Sequence, residues 1–144
     1  MAPGFLWNLG PVIMSVHPYQ IHLAFAWLGI VLGFAGGFVL GTNFHREEWL
    51  GGYGSFRRRL YRLAHISLFG LAVVNLMFYF TVQHLGLAGG LLEFASRGFL
   101  VGAISMPICC LLMAHHPKLR PLFLIPVLSL MVGGLSTLWE VINL

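Results

Sequence analysis

Four long apolar segments, separated by short polar connections, dominate the chain. They cover about residues 19–42, 60–82, 98–114 and 121–142. An apolar helix of about 20 residues, rising about 1.5 Å per residue, crosses a bilayer core of roughly 30 Å. Short connections make consecutive helices antiparallel neighbours. The pattern therefore predicts an all-α, up-down four-helix bundle in the membrane, a single domain over residues 1–144. We expect residues 1–16 to lie at the membrane interface.

Composition supports a membrane location, because 58% of the residues are hydrophobic and only 8% are charged. Soluble domains carry about 25% charged residues. Seven of the eight Lys and Arg residues lie in the first and third connections, and only Arg97 lies in the second. By the positive-inside rule, we expect a multi-pass protein of the inner (cytoplasmic) membrane with both termini on the outer side. The net charge of +4 then reflects topology rather than nucleic-acid binding.

The predicted topology can be tested with reporter fusions. A reporter fused after Arg59 should lie in the cytoplasm, and one fused after Gly90 should lie outside, because the basic connections stay inside. Alkaline phosphatase and fluorescent-protein reporters distinguish the two sides. Activity of the same reporter at both positions would contradict the topology.

The first apolar segment contains a repeated glycine. Gly29, Gly33, Gly37 and Gly41 recur every four residues and share one helix face with His22. Faces made of small residues let another backbone, or a flat cofactor, approach closely in the membrane. The repeat therefore predicts a packing face, with a histidine at one end.

Histidines near the ends of the predicted spans are candidate cofactor ligands. His22 and His84 lie toward the outer side, whereas His65, His115 and His116 lie toward the cytoplasm. A b-type haem needs two neutral imidazoles from facing helices at similar depth. The candidate inner pair is His65 with His115 or His116, and the candidate outer pair is His22 with His84. His65 and His84 point about 100° apart on one helix, which disfavours two stacked haems on that helix.

A second candidate site combines His22 with Glu140. Both lie about 12–13 Å toward the outside from the centres of their helices, on faces with small residues. Because a charge buried alone costs several kcal/mol, we expect the two side chains to form a hydrogen bond or an ion pair. Such a pair would either fix the first helix against the fourth, or form a site that handles protons and contacts quinone, with Gln83 at its rim.

The third span ends in a run of soft ligands, which suggests a further alternative. Thiolate, thioether and imidazole groups suit Cu(I), so a copper or metal carrier is one interpretation of Cys109, Cys110, Met113, His115 and His116. Autonomous catalysis is disfavoured, because Glu140 is the one carboxylate inside the spans. An enzymatic role would be that of a redox subunit in a larger complex.

The chain resembles the small four-helix b-type cytochrome subunits of respiratory complexes. The resemblance lies in HPYQIH, residues 17–22, at the start of the glycine-lined helix, and in RRLYRLAHISLFG, residues 58–70. It implies a membrane subunit of an electron-transfer complex, with haem b or quinone as cofactor and other membrane subunits as partners. The alternative is a cofactor-free accessory or assembly subunit that packs through its glycine face.

Overall fold

A computed structural model describes residues 19–144, and the predicted interfacial segment, residues 1–16, lies outside this part. The helices are α1 (Gln20–Thr42), α2 (Phe56–Leu85), α3 (Gly90–His115) and α4 (Leu124–Ile142). Short 3-10 segments, Trp49–Gly51 and Pro117–Phe123, lie in the first and third connections. The described residues contain no β-strand. Four helical segments, counting Pro117–Ile142 as one, are long and apolar enough to cross a membrane.

Two helices begin earlier than the apolar pattern predicts. The third span was expected from residue 98, but α3 begins at Gly90. Glu93 and Arg97 look like loop residues in the sequence, yet they form an exposed ion pair across one helical turn. Helix α2 begins at Phe56 rather than at residue 60, because the Ser55 hydroxyl accepts a hydrogen bond from the backbone N–H of Arg58.

The helices pack in the order of the chain. Helix α1 packs on α2, α2 packs on α3, and α3 packs on α4, whereas α1 touches α3 only slightly. Helices α1 and α4 form no extended interface within residues 19–144. They are therefore the edges of the bundle. We call the end where α1 begins and α4 ends the terminal end, and the end with the two basic connections the basic end.

The interface between α1 and α2 is formed by the glycine face. A Cβ added at Gly29 would lie 3.0 Å from the carbonyl oxygen of Leu68, and one added at Gly33 would lie 2.7 Å from the Phe69 ring. At Gly37 the neighbour is the imidazole of His65, at 3.0 Å. The face therefore packs inside the protein at these three positions. A Cβ at Gly41, the last glycine of the repeat, would have nothing within 4 Å.

The interface between α3 and α4 is closer still, because backbone meets backbone there. A Cβ at Gly98 would lie 2.5 Å from the carbonyl oxygen of Ser129 and 2.9 Å from the backbone nitrogen of Gly133. One turn further along α3, a Cβ at Gly102 would lie 2.5 Å from Cγ of Leu130. Small residues on both helices are therefore required for this contact.

Gly33→Leu and Gly37→Leu should damage folding more than Leu32→Ala. An added isobutyl group has no space against Phe69 or His65, and overpacking of this kind costs about 1–3 kcal/mol or more. Gly41→Leu is the matched control, because its side chain would enter open space. The measurement is the yield of monodisperse protein in mild detergent. Equal yields for the Gly33, Gly37 and Gly41 variants would show that α1 does not pack on α2 in this way.

Candidate functional site

A buried polar triad joins three helices near the terminal end. The side chain of His22 on α1 is fully buried, and that of Asn75 on α2 is 1% exposed. His22 Nδ1 lies 2.6 Å from Asn75 Oδ1, and His22 Nε2 lies 2.8 Å from the hydroxyl of Ser96 on α3. Tyr19 and Phe78 lie close by, with the Phe78 ring centroid 4.5 Å from that of His22. The imidazole is therefore enclosed by polar and aromatic neighbours.

The bonding pattern assigns the tautomer of His22. The Asn75 amide nitrogen donates to the Leu71 carbonyl at 2.8 Å, so Asn75 Oδ1 is the acceptor that faces the histidine. The proton therefore lies on His22 Nδ1, and the bare Nε2 accepts the hydrogen bond of the Ser96 hydroxyl. This arrangement satisfies both ring nitrogens of a neutral imidazole.

The triad bears on both outer sites predicted from the sequence. An axial haem ligand must offer one ring nitrogen to iron, and both nitrogens of His22 are already bound to side chains. The arrangement around His22 therefore does not fit haem ligation. The structure shows no bond between His22 and Glu140 either, because Asn75 and Ser96 take both ring nitrogens. The physical reason is the packing order, which places α2 and α3, and not α4, against α1.

Glu140 has a different neighbour, the start of α3. Its carboxyl carbon would lie 2.8 Å from a Cβ added at Gly89, the residue that precedes α3. The positive end of a helix dipole favours a carboxylate at this position. Glu140 is half-buried and has no salt-bridge partner within residues 19–144. Gln83 and His84, the other residues of the predicted outer sites, are exposed at the end of α2.

The candidate inner pair is divided between two interfaces. The His65 ring lies against α1, where a Cβ at Gly36 would lie 3.5 Å from its Nδ1, and it meets the Phe69 ring edge-on. His115 instead lies against α2, with its Nε2 2.8 Å from the Tyr61 hydroxyl. His116 is exposed just beyond the end of α3. In the structure, therefore, His65 and His115 have different neighbouring helices.

The soft ligands of α3 also point to separate neighbours. Cys109 Sγ lies 3.5 Å from the carbonyl oxygen of Leu122, and Met113 packs with Leu60. Cys110 is fully buried. Within residues 19–144, no three His, Cys, Asp or Glu side chains are close enough together to hold a metal ion. Within the described residues, these side chains therefore do not assemble into a copper site.

Within residues 19–144, one buried side-chain nitrogen at the basic end has no hydrogen-bond partner. Nδ1 of His65 is buried and makes no hydrogen bond within the described residues. His65 lines a cleft of about 320 Å³ between the end of α1 and the start of α2. We call it the basic cleft, because Arg58 and Arg62 also line it, together with Gly41, Trp49 and Ile66.

Arg58 is held in the basic cleft by aromatic rings. The side chain is only 3% exposed, and it donates a hydrogen bond to the Phe44 carbonyl at 2.9 Å. Its guanidinium carbon lies 5.4, 5.8 and 5.0 Å from the ring centroids of Phe44, Trp49 and Tyr53. Arg62 lies 5.0 Å from the Tyr53 ring. These are cation–π distances, so the first connection folds around the two arginines.

The sequence contains a signal for one of these partners. Asn75 is a polar residue inside the second apolar segment, and a polar residue in a span faces the interior. Ser96 was missed because it appeared to lie in a loop. Arg58 was one of several arginines in the first connection that could act as a topology signal or bind anionic lipid or a partner, and its burial was not predicted. Comparison with protein-family models, with curated proteins and with solved structures finds no match for this chain.

Proposed function

We propose that the chain is a small integral membrane subunit of an electron-transfer complex, and that it serves as an accessory or assembly subunit without a haem of its own. The observation that carries this proposal is that His22 has no free ring nitrogen. Both of its ring nitrogens bind side chains of neighbouring helices, so the most deeply buried histidine of the described chain holds helices together.

The edge helices support a role in assembly. Trp27, Phe34 and Phe38 on α1 are 62%, 68% and 73% exposed, and Trp139 on α4 is 62% exposed. In a membrane these large side chains face either lipid or the helices of partner subunits. Because α1 and α4 do not close on each other, each has a free lateral surface for a partner.

Quinone contact at the terminal end is the second candidate function, and Glu140 favours it. Its carboxylate is half-buried and lacks a salt-bridge partner within the described residues, so it is available to accept a proton from a quinol hydroxyl. The exposed amide of Gln83 could donate to a quinone carbonyl. The alternative role of Glu140 is structural, because it lies at the start of α3.

The proposal is tested by purification from native membranes in mild detergent. We expect the chain to co-purify with subunits that carry redox cofactors, and to show no Soret band once separated from them. A low-spin haem spectrum in the separated chain, lost in His65→Ala but not in His84→Ala, would overturn the haem-free proposal. If the co-purifying partners lack redox cofactors, the assignment to an electron-transfer complex is contradicted.

Glu140→Gln distinguishes the two roles of the carboxylate. If it contacts quinol, we expect an intact complex with slower quinol turnover, because the amide cannot accept the proton. If it is structural, we expect loss of the complex instead. Native gels report assembly and quinol-dependent reduction reports turnover. Glu93→Gln is the matched control, since Glu93 is an exposed carboxylate in the first turn of α3, the helix whose start Glu140 contacts.

A further inference from the structure

The geometry of the basic cleft points to a binding site for the phosphate group of an anionic phospholipid from the adjacent leaflet. This inference is independent of the proposed function, because none of the residues that carry it belongs to the triad or to the Glu140 site. Three observations carry it: two guanidinium groups without a carboxylate partner, N–H donors on both that remain free, and an opening toward the lipid.

The first observation is the missing counter-charge. Within residues 19–144, Glu93 with Arg97 is the one ion pair, so neither Arg58 nor Arg62 has a carboxylate within 4.0 Å. Arg58 is 3% exposed, and a buried charge is costly unless it is paired and hydrogen-bonded. Cation–π contacts and one carbonyl offset part of this cost. An anion in the cleft would supply the missing charge.

The second observation is that most N–H donors of the two arginines have no partner within the described residues. Aromatic rings stack on the flat face of a guanidinium group, which leaves its N–H edges available. One N–H group of Arg58 donates to Phe44, and its other donors and those of Arg62 remain. A phosphate group accepts several such bonds at once, often in bidentate geometry. His65 lines the same cleft.

The third observation is the position of the opening. Ile66, which lines the basic cleft, is 62% exposed on the lateral surface of α2. Gly41 leaves open space at the end of α1, and Trp49 is an aromatic side chain typical of the headgroup region. A phospholipid can therefore place its headgroup phosphate in the cleft while its acyl chains run along α1 and α2. A quinone ring also fits the size of the cleft, but it would leave both cations unneutralised.

The test measures lipid retention by native mass spectrometry. The full chain is purified in neutral detergent and then mixed with phosphatidylglycerol, with phosphatidylcholine or with inorganic phosphate. We expect one phosphatidylglycerol to be retained, at least tenfold more tightly than phosphatidylcholine. We also expect it to raise the thermal unfolding midpoint, whereas inorganic phosphate at the same concentration does not.

Three variants separate this site from general attraction to a basic surface. Arg62→Gln should weaken phosphatidylglycerol binding about tenfold or more, because it removes charge-assisted hydrogen bonds. Gly41→Leu should weaken it by filling the cleft without changing any charge. Arg57→Gln removes the same charge from an exposed side chain outside the cleft, and should retain the lipid. Arg58→Gln is avoided as the main test, because its effect on folding would obscure its effect on binding.

Each alternative occupant has its own result. Equal retention by all variants, or equal retention of the two lipids, would overturn the site. Inorganic phosphate could stabilise the protein as strongly as phosphatidylglycerol does. That result would assign the cleft to a soluble phosphate compound and overturn the proposal of a lipid ligand. Displacement of the lipid by a short-chain quinone at equal concentration would assign it to quinone. A failure here leaves the co-purification and spectral tests of the proposed function unaffected.

Discussion

His22→Ala is expected to lower the free energy of unfolding by about 2–5 kcal/mol. The substitution empties the volume of a fully buried ring, and loss of a large buried side chain typically costs this much. It also leaves Asn75 Oδ1 and the Ser96 hydroxyl without their partner, and an unpaired buried polar group costs about 1–3 kcal/mol. The three helices joined by the triad should therefore separate more easily at the terminal end.

Unfolding by sodium dodecyl sulfate, monitored by circular dichroism and tryptophan fluorescence, measures this loss. Ser96→Ala removes a single hydrogen bond and should cost about 0.6 kcal/mol, at most about 1.7 kcal/mol, as is usual for bonds between membrane helices. His84→Ala changes an exposed histidine and should stay within about 0.5 kcal/mol of the wild type. A His22→Ala protein as stable as the His84→Ala protein would mean that the triad contributes no stability in the membrane.

Gly98→Ala is expected to disrupt the contact between α3 and α4, at a cost of about 1–3 kcal/mol or more. The added methyl group would meet the backbone of α4 at 2.5 Å and 2.9 Å, and a backbone cannot rotate away as a side chain can. We therefore expect α4 to move out from α3. A fluorescence energy transfer pair placed at the ends of the two helices should report a longer distance.

Gly70→Ala provides the matched control for this substitution. Gly70 lies within α2, and a Cβ there would have nothing within 4 Å. Since alanine is the better helix former, Gly70→Ala should be neutral or stabilise the protein by up to about 1 kcal/mol. If Gly98→Ala is tolerated equally well, α3 and α4 do not approach as closely as the structure places them.

Much of the fold could be predicted from the pattern of apolar and polar residues along the chain. The four apolar segments predicted four helices, because length and composition alone decide which segments suit a bilayer. The helix ends were less predictable. At the start of α3, Glu93 and Arg97 are charged yet helical, since that turn extends beyond the apolar segment and keeps both side chains exposed.

The candidate site was less predictable, because the residue pattern of one helix does not show which other helices pack against it. Periodicity and depth predict inward faces for His22 and Glu140 near the same end, but they say nothing about which helices are neighbours. The packing of α1 on α2 and of α4 on α3 sends the two side chains to different partners. Arg58 shows the same limit, because its aromatic neighbours come together only when the first connection folds back on α2.

The packing order has a consequence for biogenesis. Each helix after the first packs on the segment made just before it, so the contacts that define the fold are local along the chain. Helices α1 and α2 can close their glycine interface before α3 enters the membrane, and the third helix can then complete the triad through Ser96. Helix α4 contributes to neither step. A ribosome-bound chain in which a long polar linker replaces α4 should therefore already protect His22 from water.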